Sequence, residues 1–265
     1  MVEFNLKEKV VLIAGGSSGI GFAAAMQFIE EGCNVVIAAR DQIKLNSLFK
    51  TRKFNQSSVH VLSVDLGTQK GIEDFIEYGT SNFKKIDILV NTLPLPFSTY
   101  SINNNISQVD WETALQDKLL SYIALMSSVL PLMKKNNWGR IINVAGITSK
   151  EPSCNLITSG VINAAIVNLT KSFSQVYSVF NICINVVNPG FVATERFDHF
   201  IEQQARAHHQ NKYDLQTSII QTIPARRLGR PDEIANLIVF LASDKAGYIT
   251  GTSISVDGGV SKSTG

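Results

Sequence analysis

Gly15, Gly19 and Gly21 are spaced Gly-x-x-x-Gly-x-Gly with Ser17, Ser18 and Ile20 among them, and the chemistry this spacing suits is the holding of phosphate. The apolar run Val10 to Ala14 reads as a strand buried on both faces, and Ile20, Ala23, Ala24 and Phe28 then recur at helical spacing until Gly32. The turn between them is therefore a helix N-terminus, where unpaired backbone N–H groups and the positive end of the helix dipole face outward. Glycines let a pyrophosphate reach that backbone without meeting a Cβ. Glycines also serve ordinary turns, so order and spacing carry the reading. A second buried run, Asn34 to Arg40, completes a βαβ unit, whose natural ligand is a dinucleotide. A carboxylate at the end of that run would accept hydrogen bonds from the adenosine ribose and repel a 2′-phosphate. Ala39 and Arg40 stand there instead. An arginine at a strand end is by default a solvated charge, but with the acid missing it selects NADP(H) over NAD(H).

The elements that must position these residues alternate along the chain. Asp41 to Phe54 carries Ile43, Leu45, Leu48 and Phe49 at helical spacing, and Val59 to Val64 makes a third strand that ends in Asp65-Leu66. A helix with Ile72, Phe75, Ile76 and Phe83 on its buried face precedes a strand over Ile86 to Asn91. The longest helical pattern, Trp111 to Lys135, carries an apolar stripe broad enough to bury against a second subunit as well as a sheet. Strands over Gly139 to Ala145 and Ile182 to Val187 follow. Buried strands alternating with amphipathic helices predict an α/β fold, a single doubly wound domain over residues 1–265 with a parallel sheet and helices on both faces. Its strand C-termini share one rim, where ligands bind.

Bulk properties narrow the class. A chain of 265 residues can bury a sizeable core, and a net charge of +2 spread along it offers no basic patch for nucleic acid. Cys33, Cys154 and Cys183 are widely spaced in apolar context, as reduced core thiols would be, and no metal site is placed by them or by His199, His208 and His209. No apolar run reaches membrane-spanning length, and the cytoplasm is the default location.

Taken together, Ala14-Gly15-x-x-x-Gly19-x-Gly21, Asn91, the string Asn188-Pro189-Gly190-Phe191-Val192-Ala193-Thr194 and the closing Tyr248 to Gly259 segment resemble the short-chain dehydrogenase/reductase family, in its 3-oxoacyl-carrier-protein-reductase-like branch. The resemblance spans nearly the whole chain. It implies a Rossmann fold, Asp65 against the adenine with Leu66 beside the ring, Asn91 opening a turn near the cofactor, and Pro189, Gly190, Val192 and Thr194 on its nicotinamide side. It also implies a homodimer or homotetramer. The family's Asn-Asn-Ala-Gly turn continues here as Thr92-Leu93-Pro94, a departure from the pattern.

Catalysis is where the pattern breaks. The family uses a tyrosine as proton donor, a lysine four residues later, a serine that polarises the substrate oxygen and an asparagine on the preceding long helix. At those places this chain carries Ser159, Asn163, Gly146 and Lys118, and a slip of two would bring Thr148 to the serine position. Asn and Lys have exchanged helices. Either Lys118 restores the ammonium from the opposite side, approaching the ribose or the substrate oxygen with a pKa lowered by desolvation, or it snorkels to solvent while Asn163 packs. Tyr100, Tyr122 and Tyr213 read as packing residues rather than a transplanted acid. Pro94 to Ser107 reads equally as a wall of the substrate pocket or a surface turn. Phe191 to Thr222 reads as a helical lid at about 191–222. Two functions follow: a reductase of an apolar ketone or an acyl or polyketide-like carbonyl with a rebuilt proton-delivery site, or an NADP(H)-binding homologue without turnover that serves as sensor or partner subunit.

Overall fold

The computed structural model describes residues 3–43, 45, 58–96 and 106–263. Seven strands among these residues form one parallel sheet: β1 (Val10–Ala14), β2 (Asn34–Ala39), β3 (Val59–Ser63), β4 (Ile88–Asn91), β5 (Gly139–Val144), β6 (Ile182–Pro189) and β7 (Ser253–Val256). Their spatial order is β3-β2-β1-β4-β5-β6-β7, so the direction of winding reverses between β1 and β4. Neighbouring strands diverge from such a switch point and leave a crevice at their C-terminal ends. Ala14 is in register with both Ala38 and Asn91, and Asn91 with Asn143, so four strands end level around it.

Strand alternation splits the interior into two apolar layers. Val11 and Ile13 of β1 pack with Ala24, Ala25 and Phe28 of α1 (Gly19–Glu30) and with Ile234 and Ile238 of α8 (Pro231–Ala242). Leu12 and Ala14 face the other way, onto Ile72 and Phe75 of α2 (Gln69–Phe83) and Leu125, Met126 and Val129 of α4 (Ser121–Asn136). Covering both faces is why the central strands read as unbroken apolar runs rather than alternating ones.

Two departures from the sequence expectations have local causes. The long helix is not continuous: α3 (Gln108–Ala114) passes into a π-helical segment, Leu115–Leu120, before α4. Such a segment inserts one extra residue into the turn, which leaves the apolar spacing on either side looking helical. Cys33 and Cys183 are buried free thiols, but Cys154 is exposed, because it lies in the loop before α5 (Ile157–Tyr177) rather than on its packed face. The helical pattern over Asp41 to Phe54 lies mostly outside the described residues; within it Leu45 is buried and Ile43 is exposed. Phe97 and Tyr100 also lie outside them. The Phe191 to Thr222 stretch is helical, as α6 (Glu195–Ala207) and α7 (Lys212–Thr222). Among the described residues no helix is long and apolar enough to cross a membrane, and no cluster of His, Cys, Asp and Glu could hold a metal ion.

Candidate active site

A cavity of about 590 Å³ opens over the crevice at the switch point. One wall is the β1–α1 turn. Gly15 has φ +92° and Gly19 φ +56°, conformations that side-chain-bearing residues rarely adopt. A Cβ on Gly19 would lie 3.2 Å from the methyl of Thr194, so the glycine turn and the loop after β6 approach closely across the cleft. Ser18 is the N-cap of α1 yet its side chain makes no capping bond, and the first turn holds no acid. The amides there keep their donors for a ligand, an arrangement that fits an anionic phosphate bridge. Thr92 closes the turn from β4, its hydroxyl 2.8 Å from the carbonyl oxygen of Ala14 and 2.9 Å from that of Gly15.

The predicted dinucleotide residues gather here with one exception. Gly15, Ser17, Ser18, Gly19, Ile20 and Gly21 line the turn side; Arg40, Asp65 and Leu66 line one end; Pro189, Gly190, Val192 and Thr194 line the other. Asn91 does not line the cavity. It is fully buried, and its amide donates to Asn143 Oδ1 at 2.8 Å, because strand alternation turns it into the sheet interior. At the Arg40 end, Asp117 was not foreseen. Burial raises its pKa, with Arg40 lowering it and Asp65 raising it further.

Lys118, Ser159 and Asn163 come together on the opposite wall, joined by Thr148. Lys118 sits in the π-helical segment and is buried, with Nζ donating to Asn163 Oδ1 at 3.0 Å and to the Ala145 carbonyl at 3.3 Å. Burial, and secondarily the charge of Arg196, pushes its pKa down to about 7. It does not snorkel to solvent. An ammonium has three N–H donors and no acceptor, so among the described residues one donor remains for a ligand.

That polarity propagates. With Oδ1 committed to Lys118, Asn163 Nδ2 donates to Thr148 Oγ1 at 2.9 Å and to Ser159 Oγ at 3.2 Å. The two hydroxyls are 3.1 Å apart, so one donates to the other and a single hydroxyl proton is left to face the cavity. Gly146 makes room for this: a Cβ there would lie 3.0 Å from Asn163 Nδ2. Tyr122, one turn beyond Lys118, is fully buried, and its hydroxyl lies 2.9 Å from the Asn91 carbonyl and 3.0 Å from that of Val144. Its one proton is occupied, and burial raises its pKa further, so it is a packing group. Tyr213 is exposed on α7.

Sequence reasoning missed Arg196, which lines the cavity from the first turn of α6 and donates through Nη2 to the Leu95 carbonyl at 2.5 Å. Its place two residues after Thr194 was the only available signal. Phe191, Phe197 and Phe200 bring the apolar side of the same stretch to the cavity, while His199, His208 and His209 are exposed.

Comparison with known proteins places this geometry. A family model described as enoyl-(acyl carrier protein) reductase matches residues 14–261. The NADPH-dependent reductase BacG of Bacillus subtilis is 34% identical over 260 residues, which cover 97% of this chain and all of that protein. Among solved structures, YwfH, an NADPH-dependent reductase involved in bacilysin biosynthesis, superposes with a TM-score of 0.88 at 33% identity, covering 97% of this chain and 100% of that one. L-sorbose reductase from Gluconobacter frateurii, in complex with NADPH and L-sorbose, does so with a TM-score of 0.90 at 27% identity, covering 99% and 100%. With the parallel sheet, the glycine turn and the loop after β6 all in place, the chain belongs to the short-chain dehydrogenase/reductase family.

Proposed function

We propose that this protein is an NADPH-dependent carbonyl reductase in which Lys118, rather than a tyrosine, delivers the proton. The observation that carries this reading is the buried Lys118 in the cavity, held by the neutral oxygens of Asn163 and Ala145 with one N–H to spare. The dinucleotide would lie along the glycine turn, its phosphate bridge on the free amides before α1 and its 2′-phosphate beside Arg40, where Ala39 offers no opposing carboxylate. NADPH supplies a hydride when bound. The chain's own part is to hold the carbonyl oxygen between the spare Lys118 N–H and the last hydroxyl proton of the Thr148–Ser159 pair, both of which stabilise the negative charge that develops there. Lys118 then gives a proton to that oxygen, leaving an alcohol and a neutral amine that recovers its proton from water. Asn163 orients Lys118 and the hydroxyls together. The phenylalanines of the 191–222 lid exclude water from the reacting atoms.

Calorimetric titration with NADPH and, separately, NADH tests the reading first. Tight NADPH with weak NADH, followed by NADPH consumption on a ketone panel that Lys118→Ala abolishes, is the expected result. Binding of neither nucleotide refutes it; NADPH binding without turnover of any carbonyl points to the sensor or partner-subunit role. We also propose assembly as a homodimer or homotetramer, supported by the partly buried Leu119 and Ile123 and the exposed Leu120 on the long helix, with sedimentation as its check.

A further inference from the structure

The Arg40 end of the cavity carries more negative charge than a phosphate site calls for. Asp41, Asp65 and Asp117 all line it, and Arg40 is the one cation that lines this end among the described residues. Asp65 is held by its own loop: the backbone N–H of Gly67 donates to Asp65 Oδ1 at 2.9 Å, which fixes the carboxylate and leaves Oδ2 for a ligand. Asp117 arrives from the π-helical segment of the long helix. Its neighbour Gln116 donates through Nε2 to the Gly67 carbonyl at 2.8 Å, tying that segment to the same loop. Asp117 Oδ1 and Asp65 Oδ1 consequently border one point, lying 3.1 Å and 3.2 Å from where a Gly67 Cβ would stand. Residue 67 has no side chain to fill that space.

Two carboxylates that border one space repel each other, and burial adds to the cost of the Asp117 charge. Asp117 is half-buried, and no hydrogen bond or ion pair joins it to another described residue. Arg40 attracts it from a distance, but in the reductase reading above that guanidinium serves the 2′-phosphate. What the two carboxylates lack is a donor with two N–H groups and no competing acceptor. The dinucleotide brings one. Its adenosine belongs at this end when its phosphate bridge rests on the glycine turn, and the exocyclic amino group of adenine has two N–H donors that point apart. Asp65 Oδ2 can accept from only one of them. Resting on that reading, we infer that Asp117 accepts from the other: the adenine amino group is held between two carboxylates, and the protein selects its nucleotide by the base as well as by the 2′-phosphate. Asp117 is then a specificity-determining residue, separate in role from Arg40.

The experiment compares, by calorimetry, NADPH with reduced nicotinamide hypoxanthine dinucleotide phosphate, in which a carbonyl oxygen replaces the amino group. NADPH should bind roughly a hundredfold more tightly, because the exchange removes two charge-assisted hydrogen bonds and turns an acceptor toward the carboxylates. Asp117→Asn keeps the shape of the side chain and can donate to that oxygen. It should bind the hypoxanthine nucleotide more tightly than the unmodified protein does, and NADPH more weakly, lowering the ratio by about tenfold or more. Asp117→Ala should also lower the ratio, with the preference for NADPH over NADH unchanged. Equal affinity of the unmodified protein for the two bases overturns the inference, as does a ratio that neither variant moves. So does a loss of NADPH-over-NADH preference in Asp117→Ala as large as its loss of base preference, since that would assign the carboxylate to the setting of Arg40. Binding of no nucleotide by the unmodified protein removes the reductase reading itself, whereas equal affinity for the two bases leaves that reading standing.

Discussion

Lys118 Nζ donates to Asn163 Oδ1 at 3.0 Å, a buried bond that joins the long helix to α5 in one wall of the cavity. A lysine has no acceptor while protonated, so this one bond fixes which way the Asn163 amide faces. That in turn makes Thr148 and Ser159 acceptors toward Asn163, and because one of the two hydroxyls donates to the other, the pair has one proton left for the cavity.

The pH dependence of reduction follows. Proton delivery needs the ammonium, and with a Lys118 pKa of about 7 the reductive kcat should fall as pH rises through that value, while oxidation of the product alcohol should rise. Lys118→Arg keeps the charge but does not titrate in this range, so it should lose this pH limb and, as a poor acid, lose turnover by about a hundredfold or more. A pH–rate profile of the variant that still bends near 7 would assign the titration to another group.

Stability should carry the same signature with its own sign. The folded pKa of about 7 lies below the ordinary lysine value of 10.5, so between these limits the unfolded chain binds the extra proton and native stability rises with pH. Below pH 7 the full burden of the buried charge is present, on the order of a few kcal/mol. Lys118→Met should therefore be more stable than the unmodified protein at pH 6, with the gap closing toward pH 9.5. Parallel melting curves at pH 6, 8 and 9.5 would show that Lys118 titrates normally.

Restoring the family's serine should do harm. Gly146 has φ +154°, and the Cβ of Gly146→Ser would stand 3.0 Å from Asn163 Nδ2. Displacing the amide breaks its bonds to Lys118, Thr148 and Ser159 together. A loss of about 1–3 kcal/mol in stability, measured by urea titration, should accompany reduced turnover. An unchanged or faster enzyme would mean that the amide gives way without consequence.

Arg40→Asp should exchange cofactor preference. The carboxylate would repel the 2′-phosphate and accept from the ribose hydroxyls, so NADPH should bind roughly ten- to a hundredfold more weakly while NADH gains. Calorimetry with both nucleotides decides it: an unchanged NADPH affinity would remove Arg40 from the phosphate site.

The sheet was legible because strands covered on both faces must be apolar throughout, as Val10 to Ala14 and Val35 to Ala38 are. The glycine turn was legible because backbone approach leaves few residue types possible. Arg196 and Asp117 were not, since nothing in their neighbourhood marks which distant wall they meet once α6 and the long helix dock. Asn91 was placed at the cofactor by resemblance, but at its register position the side chain turns toward Asn143. Thr148 was found only as an alternative alignment, and the hydrogen bonds to Asn163 and Ser159 are what bring it into the site.

The extra residue at Leu115–Leu120 divides the long helix into halves that are out of phase by about 100°. Ala114 and Tyr122 share one small apolar cluster with Ile162 and Ile166, whereas Leu125, Met126 and Val129 belong to the larger layer under the sheet. One helix thus serves two cores, and Lys118 lies beside the smaller one, its Nζ 5.8 Å from the centroid of the Tyr122 ring. Anyone transplanting this site into another reductase must carry the insertion along with the lysine. A straight helix bearing the same residues would aim the amine about a quarter-turn away from the substrate.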